Sequence, residues 1–184
     1  MSLLTSPLPE AVEVNGISYP IRTDFKIWLE FGDLAADIQK NYVNMLTACY
    51  TDRLPPSLNE ALLALVRFYV GGFETHADGG ASRRPIVSFS ADAEYIYSAY
   101  LSQYQIDLTA ASMHWYQFMA LFRSLDDSCR LSKIMEARAV NLGSIKDKNL
   151  KSYYRKMKRA YRLPDNRTEE QKERDMIRAL ESAF

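Results

Sequence analysis

The stretch from Thr109 to Leu125, TAASMHWYQFMALFRSL, limits what this chain can fold into more than any other. Met113, Trp115, Tyr116, Phe118, Met119, Leu121, Phe122 and Leu125 cover so much of a helical circumference that little is left for water. Gln117 and Arg123 are the strongly polar exceptions in its second half. A helix apolar nearly all round is one that neighbours surround. The sequence therefore predicts a mainly α, multi-helix bundle around a central apolar helix over 109–125. Trp115, Phe118, Leu121, Phe122 and Leu125 are its core residues, and His114 falls on the stripe of Phe118, Leu121 and Leu125.

Upstream, Val12 and Val14 alternate with polar residues, Asn15-Gly16 can supply the positive φ angles of a tight turn, and Ile17 and Tyr19 alternate again. This predicts a β-hairpin over 11–21. Two strands alone are marginal in water, so the hairpin must lie on the helices or extend a partner's sheet. Phe25, Trp28 and Leu29 predict a helix over about 24–31, and Ile38, Tyr42, Met45, Leu46 and Cys49 a second over about 36–50. Ser57-Leu58-Asn59-Glu60 has the form of a capping box. It opens a helix with Leu58, Leu62, Leu65, Val66 and Tyr69 on one face. Residues 71–85 hold four of the seven glycines and read as a surface loop. No Lys follows its glycines as a phosphate-cradling loop requires. Ser90 can cap the next helix, whose buried face is Ile96, Tyr97, Tyr100, Leu101 and Tyr104.

Downstream, Leu131, Ile134 and Met135 mark the seam of a helix reaching about Val140. A basic helix follows over about 146–161, with Leu150, Tyr153, Tyr154, Met157 and Tyr161 on its inner side, and Leu163-Pro164-Asp165-Asn166 breaks it. Thr168-Glu169-Glu170-Gln171 is a second capping box. It opens a final helix with a stripe of Met176, Ile177, Leu180 and Phe184. The chain divides into a helical domain, 1–164, and a C-terminal arm, 165–184. The arm is near the length at which isolated helices are marginal, so it reads as an interaction element that packs against another copy.

Lys+Arg and Asp+Glu are 23 each. The balance favours neither nucleic acid nor an acidic membrane. Charge is nevertheless concentrated: from Ser144 to Leu163 eight basic residues face Asp147 alone. Lys148, Lys151, Arg155, Lys156 and Arg159 make this helix a candidate surface for an acidic protein partner. A DNA-binding or regulatory role through 146–162 is the alternative, because basic residues interleaved with tyrosines suit phosphate backbones. Against it, the tyrosines follow the buried helical period and the charges spread over both flanks.

Cys49 and Cys129 lack C-x-x-C spacing and read as free thiols of a reducing cytosol. The N-terminus carries no signal-peptide pattern, and no apolar stretch is long enough for a membrane span. His114 has no further ligands at metal spacing, and His76 sits in the glycine-rich loop. Arg138 lies on the apolar seam of Leu131 and Ile134, so its guanidinium must snorkel or pair with an acid, Asp107 or Asp92. No catalytic constellation, metal site or cofactor motif is recognisable, and the chain reads as a non-enzyme.

Ile106-Asp107-Leu108, His114-Trp115, Phe118, Leu121, Phe122, Leu125, Lys133-Ile134-Met135 and Arg138 together resemble the signature of the bacteriophage gene-product-fifteen family of tailed siphophages and prophages. Thr23-Asp24-Phe25 with Trp28 is similar to the family's opening helix. Asp147-Lys148, Tyr154, Lys156, Lys158, Tyr161, Leu163 and Pro164 are similar to its basic segment. Tyr116 departs from the pattern, where members often carry a second Trp. The resemblance implies tail morphogenesis, in a position typical of tail assembly chaperones. Such a protein binds the tape-measure protein, helps recruit tail-tube subunits in the host cytoplasm, and is absent from the finished virion. The family supplies no catalytic or binding residues; Asp107, His114, Trp115, Phe118, Leu121, Phe122, Leu125 and Arg138 are expected to be mostly core.

Overall fold

The computed structural model describes residues 5–71 and 85–164, among which seven α-helices follow an antiparallel hairpin. Strands β1 (Ala11–Val14) and β2 (Ile17–Pro20) pair Val12 with Tyr19 and Val14 with Ile17. Asn15 at φ 52° and Gly16 at φ 76° make the turn, the positive angles that a two-residue hairpin loop needs. Val12, Val14 and Tyr19 are buried, and β1 packs on α3 (Leu58–Gly71). The hairpin thus lies on its own helices. Its exit is fastened as well: Ile21 bridges Tyr50, and Arg22 Nη1 donates to the carbonyls of Thr47, Ala48 and Tyr50 at 3.2, 2.8 and 2.8 Å. A cation there satisfies the terminal carbonyls of α2 (Ile38–Cys49) and faces the negative end of its dipole.

The helix predicted over 109–125 is shorter: α5 spans Trp115–Arg123. Asp107 stops it from starting earlier. Its carboxylate accepts from the Thr109 amide at 2.9 Å and hydroxyl at 2.6 Å, and its carbonyl accepts from the amides of Ala110 and Ala111. This Asx-type turn competes with helix. The chain then runs extended beside residues 23–25, with Phe25 N donating to Met113 O and Trp115 N to Thr23 O. His114 is consequently not on the helical stripe. It is the N-cap, its Nδ1 accepting from Tyr116 N at 3.0 Å while the Gln117 side chain accepts from the His114 amide at 3.1 Å. That reciprocal pair is a capping box.

Trp115, Phe118, Met119 and Phe122 form the buried face of α5, with Tyr116, Leu121 and Leu125 half-buried around it. Phe118 is the hub of the aromatic core. Its ring stacks on Phe25 of α1 (Phe25–Leu34) at 4.9 Å and on Tyr100 of α4 (Ala93–Tyr104) at 5.1 Å, and contacts Trp115 at 5.8 Å. Each ring brings a polar handle that needs a partner when buried. Trp28 Nε1 donates to Arg22 O, Trp115 Nε1 to Tyr69 O, Tyr100 Oη to Phe118 O and Tyr50 Oη to Ala61 O.

The start of α4 also differs from expectation. Asp92, not Ser90, stands at the start of α4, and its side chain makes no cap; it is held elsewhere, as described below. Helix α6 spans Arg130–Ala139 and is capped by Cys129, whose sulfur accepts from Ser132 N. The basic helix, α7, spans Lys148–Ala160 with Asp147 as its cap, Oδ1 accepting from Leu150 N at 2.7 Å. The predicted inner side of α7 needs correction. Tyr154, Met157 and Tyr161 are half-buried, whereas Leu150 and Tyr153 are 47% and 54% exposed. Ile38 and Tyr42 are likewise exposed on α2. Most of the predicted loop over 71–85 and the final helix with Met176, Ile177, Leu180 and Phe184 lie outside the described residues.

Candidate interaction site

Helix α7 has no buried residue, so it owes its place to a few polar ties as much as to apolar contact. Arg138 is the chief of them. From α6 its guanidinium meets Asp92 two-on-two, Nη1 to Oδ2 at 2.6 Å and Nη2 to Oδ1 at 2.8 Å. Nη1 also donates to Ile86 O at 3.0 Å, and Nε donates to Tyr161 O at 2.6 Å. The Arg138 carbonyl in turn accepts from Lys158 Nζ at 2.6 Å. One residue therefore joins the start of α4, the segment before it, and the end of α7. Asp92 is 1% exposed, and its Oδ2 also accepts from Ser88 N. Of the two acids weighed for Arg138, Asp92 is the partner.

Further ties run along the same seam. Tyr154 Oη donates to Glu136 at 2.6 Å, which holds the phenol above its ordinary pKa. Arg130 donates to Tyr161 Oη at 2.5 Å, with the Tyr161 ring edge-on to Tyr95.

What α7 turns outward is basic. Lys148, Arg155, Lys156 and Arg159 are exposed and Lys151 half-exposed, and none forms an ion pair among the described residues. Leu150 and Tyr153 lie beside them as an uncovered apolar edge.

A second feature sits on the other side of α4. An open, apolar cleft of about 430 Å³ is floored by Phe118 and Ile96 and walled by Phe25, Leu29, Phe89 and Tyr97. Lys26 and Glu94 stand at its rim, Lys26 Nζ donating to Thr109 O at 3.0 Å. Such a cleft can take apolar side chains from a helix laid across it.

The residues of the sequence signature divide between these places. Trp115, Phe118 and Phe122 are core, and Leu121 and Leu125 are packed at its margin. His114 caps α5, and its Nε2 lies 2.9 Å from Pro9 O, tying the N-terminal segment to the central helix. With Nδ1 accepting, Nε2 carries the proton and donates. Asp107 is exposed, not core; the Thr109 amide and hydroxyl hold its carboxyl below the usual range. Sequence reasoning placed Asp24 at the start of the opening helix but not its roles: it caps α1 and also accepts from the Ser112 hydroxyl at 2.7 Å. It missed the cleft too, whose walls come from separated segments. No group of three His, Cys, Asp or Glu that could hold a metal occurs among the described residues, and no described helix is long and apolar enough to cross a membrane.

No curated protein and no solved structure matches this chain. A family model described as Bacteriophage Gp15 protein matches residues 4–163, which takes in the hairpin, every described helix and the Arg138 seam. The chain belongs to the bacteriophage Gp15 protein family.

Proposed function

We propose that this phage protein acts in tail morphogenesis as a non-enzymatic assembly chaperone that binds the tape-measure protein in the host cytoplasm and is absent from the finished virion. The observation that carries the reading is the open apolar cleft beside Phe118. A tape measure is a long helical client, and an amphipathic helix docks by laying its apolar face into such a groove. The basic face of α7, Lys148, Lys151, Arg155, Lys156 and Arg159, which forms no ion pair among the described residues, suits acidic segments of the same client or of the tail-tube subunit.

The experiment is co-expression with the tape-measure protein of the same phage, followed by pull-down. Tyr97→Asp and Leu108→Asp put a carboxylate into the cleft at half-buried positions. They should abolish capture while leaving the thermal midpoint near that of the parent. Capture undiminished by both substitutions would remove the cleft from the mechanism.

A second reading, a DNA-binding or regulatory phage protein acting through 146–162, rests on the same exposed basic face. The two differ in salt response. Binding through several phosphates weakens steeply with salt, whereas apolar docking does not.

A further inference from the structure

Helix α7 carries two stripes, and α6 holds one of them. Tyr154 is tied to Glu136, Tyr161 to Arg138 and Arg130, and Lys158 Nζ reaches the Arg138 carbonyl from the same face. Leu150, Tyr153, Met157 and Ala160 form the second stripe, at spacings of three, four and three. That is the a/d seam of a coiled coil. Leu150 and Tyr153 are 47% and 54% exposed, Ala160 is exposed and Met157 is half-buried. The Tyr153 ring stands edge-on to Tyr154 at 5.3 Å, and Tyr154 is itself fixed by Glu136. The seam is therefore in place before anything docks, which lowers the cost of ordering it.

Charge beside this seam is of one sign. Lys156 holds the position that flanks a coiled-coil core, and Arg159 stands one step further out. Both are exposed, and neither forms an ion pair among the described residues. Asp147, the one acid between Ser144 and Leu163, sits at the helix start with its Oδ1 on Leu150 N. The α7 of a second copy, laid along the seam, would set bases against bases and be repelled. A phosphate backbone would satisfy the bases and leave Leu150 in water. We infer, on the reading of α7 as a surface for an acidic protein partner, that this edge receives a helix of another protein whose apolar stripe is flanked by Asp or Glu. The stripe covers Leu150 and Tyr153, and the acids meet Lys156 and Arg159.

The probe is a labelled synthetic peptide of about three heptads with Leu at a and d and Glu at e and g, whose acids keep it from pairing with itself. It should bind the full chain in anisotropy titrations at near-physiological salt and slow amide exchange over 148–160. Lys156→Glu with Arg159→Glu should weaken binding at least about tenfold, as should Leu150→Ala with Tyr153→Ala, all at exposed positions. A peptide with Lys in place of Glu should reverse the preference and favour the charge-reversed variant over the parent. The cleft variants Tyr97→Asp and Leu108→Asp should bind the acidic peptide as the parent does, so a failure at α7 and a failure at the cleft show in different proteins. No binding to the parent, or parental affinity in either α7 variant, would overturn the inference. So would binding lost in the cleft variants, or self-association of the parent that Leu150→Ala with Tyr153→Ala abolishes, which would give the edge to a second copy.

Discussion

Arg138 and Asp92 stand 46 residues apart and meet through two parallel hydrogen bonds of 2.6 and 2.8 Å, with side chains 10% and 1% exposed. Removing one partner of such a pair leaves the other as an uncompensated buried charge, at a cost of about 3–5 kcal/mol. Arg138→Ala should therefore lower the unfolding free energy by that amount in denaturant titration. Because Arg138 Nε also donates to Tyr161 O, the loss should loosen α7 first, seen as faster amide exchange over 148–160 than over α5. Arg138→Lys should rescue only part, since an ammonium cannot reproduce the two-on-two fork or reach Ile86 O and Tyr161 O together. A loss below about 1 kcal/mol, typical of an exposed pair, would show that water reaches this site.

Phe118 is fully buried and ringed by Phe25, Tyr100, Trp115 and Phe122, whereas Tyr153 stands in solvent. Phe118→Ala should cost about 3–5 kcal/mol, the transfer free energy plus the cavity left behind. Equilibrium denaturation settles it, and a soluble Phe118→Ala variant of parental stability would show that α5 is not the centre of the core.

The sequence discloses the centre more readily than its limits. An apolar run such as WYQFMALF has one physical use in water-soluble folds, so Trp115, Phe118 and Phe122 could be assigned to the core from residue type and spacing. The start of the helix depended on a contest between Asp107's local turn and continued helix, decided by hydrogen bonds to Thr109, Ala110 and Ala111 and by pairing with residues 23–25, which lie far away in sequence. For Arg138 the need for an acid was legible from its place on an apolar seam, because a guanidinium there has few alternatives. The choice of Asp92 over Asp107 came from the packing of α4 on α6. Leu150 and Tyr153 were misplaced because helical period tells which residues share a face, not whether a neighbour covers all of it. The cleft was invisible for the same reason: its walls meet only in the fold.

His114 provides a smaller, sharper test. An N-cap side chain is worth about 1 kcal/mol when replaced by Ala, and His114→Ala also drops the bond from Nε2 to Pro9 O. His114→Asn should recover most of the capping share, since its amide oxygen can accept from Tyr116 N. Thermal denaturation of the two variants separates the roles. Equal destabilisation by Ala and Asn would mean that the tie to Pro9, not the cap, is what matters.

Alkaline pH should unfold the domain through its buried phenols. Burial, with the neighbouring Cys49 and Tyr19 adding, pushes the Tyr50 phenol from 10.0 up to about 12, and burial raises Tyr100 as well. A raised native pKa means that the folded state holds the proton more tightly than the unfolded one. Stability is then fully present below pH 10 and declines as pH rises from 10 toward 12. Denaturation midpoints across that range should fall, and Tyr50→Phe should show a shallower decline. A slope identical in the parent and the variant would count against Tyr50 as a contributor.

The basic helix gives the final prediction. Lys148, Lys151, Arg155, Lys156 and Arg159 carry no ion pair among the described residues, so their charges are available to a partner. Yet the chain as a whole is neutral, with 23 basic and 23 acidic residues, and lacks the field that steers phosphate-binding proteins to their targets. Duplex DNA or RNA should therefore bind only weakly at low salt, with affinity falling steeply as salt approaches physiological strength. Fluorescence anisotropy with labelled duplexes, in the parent and in a Lys156→Glu, Arg159→Glu variant, makes the comparison. Tight binding at near-physiological salt, lost in the charge-reversed variant, would put the regulatory reading ahead of the chaperone.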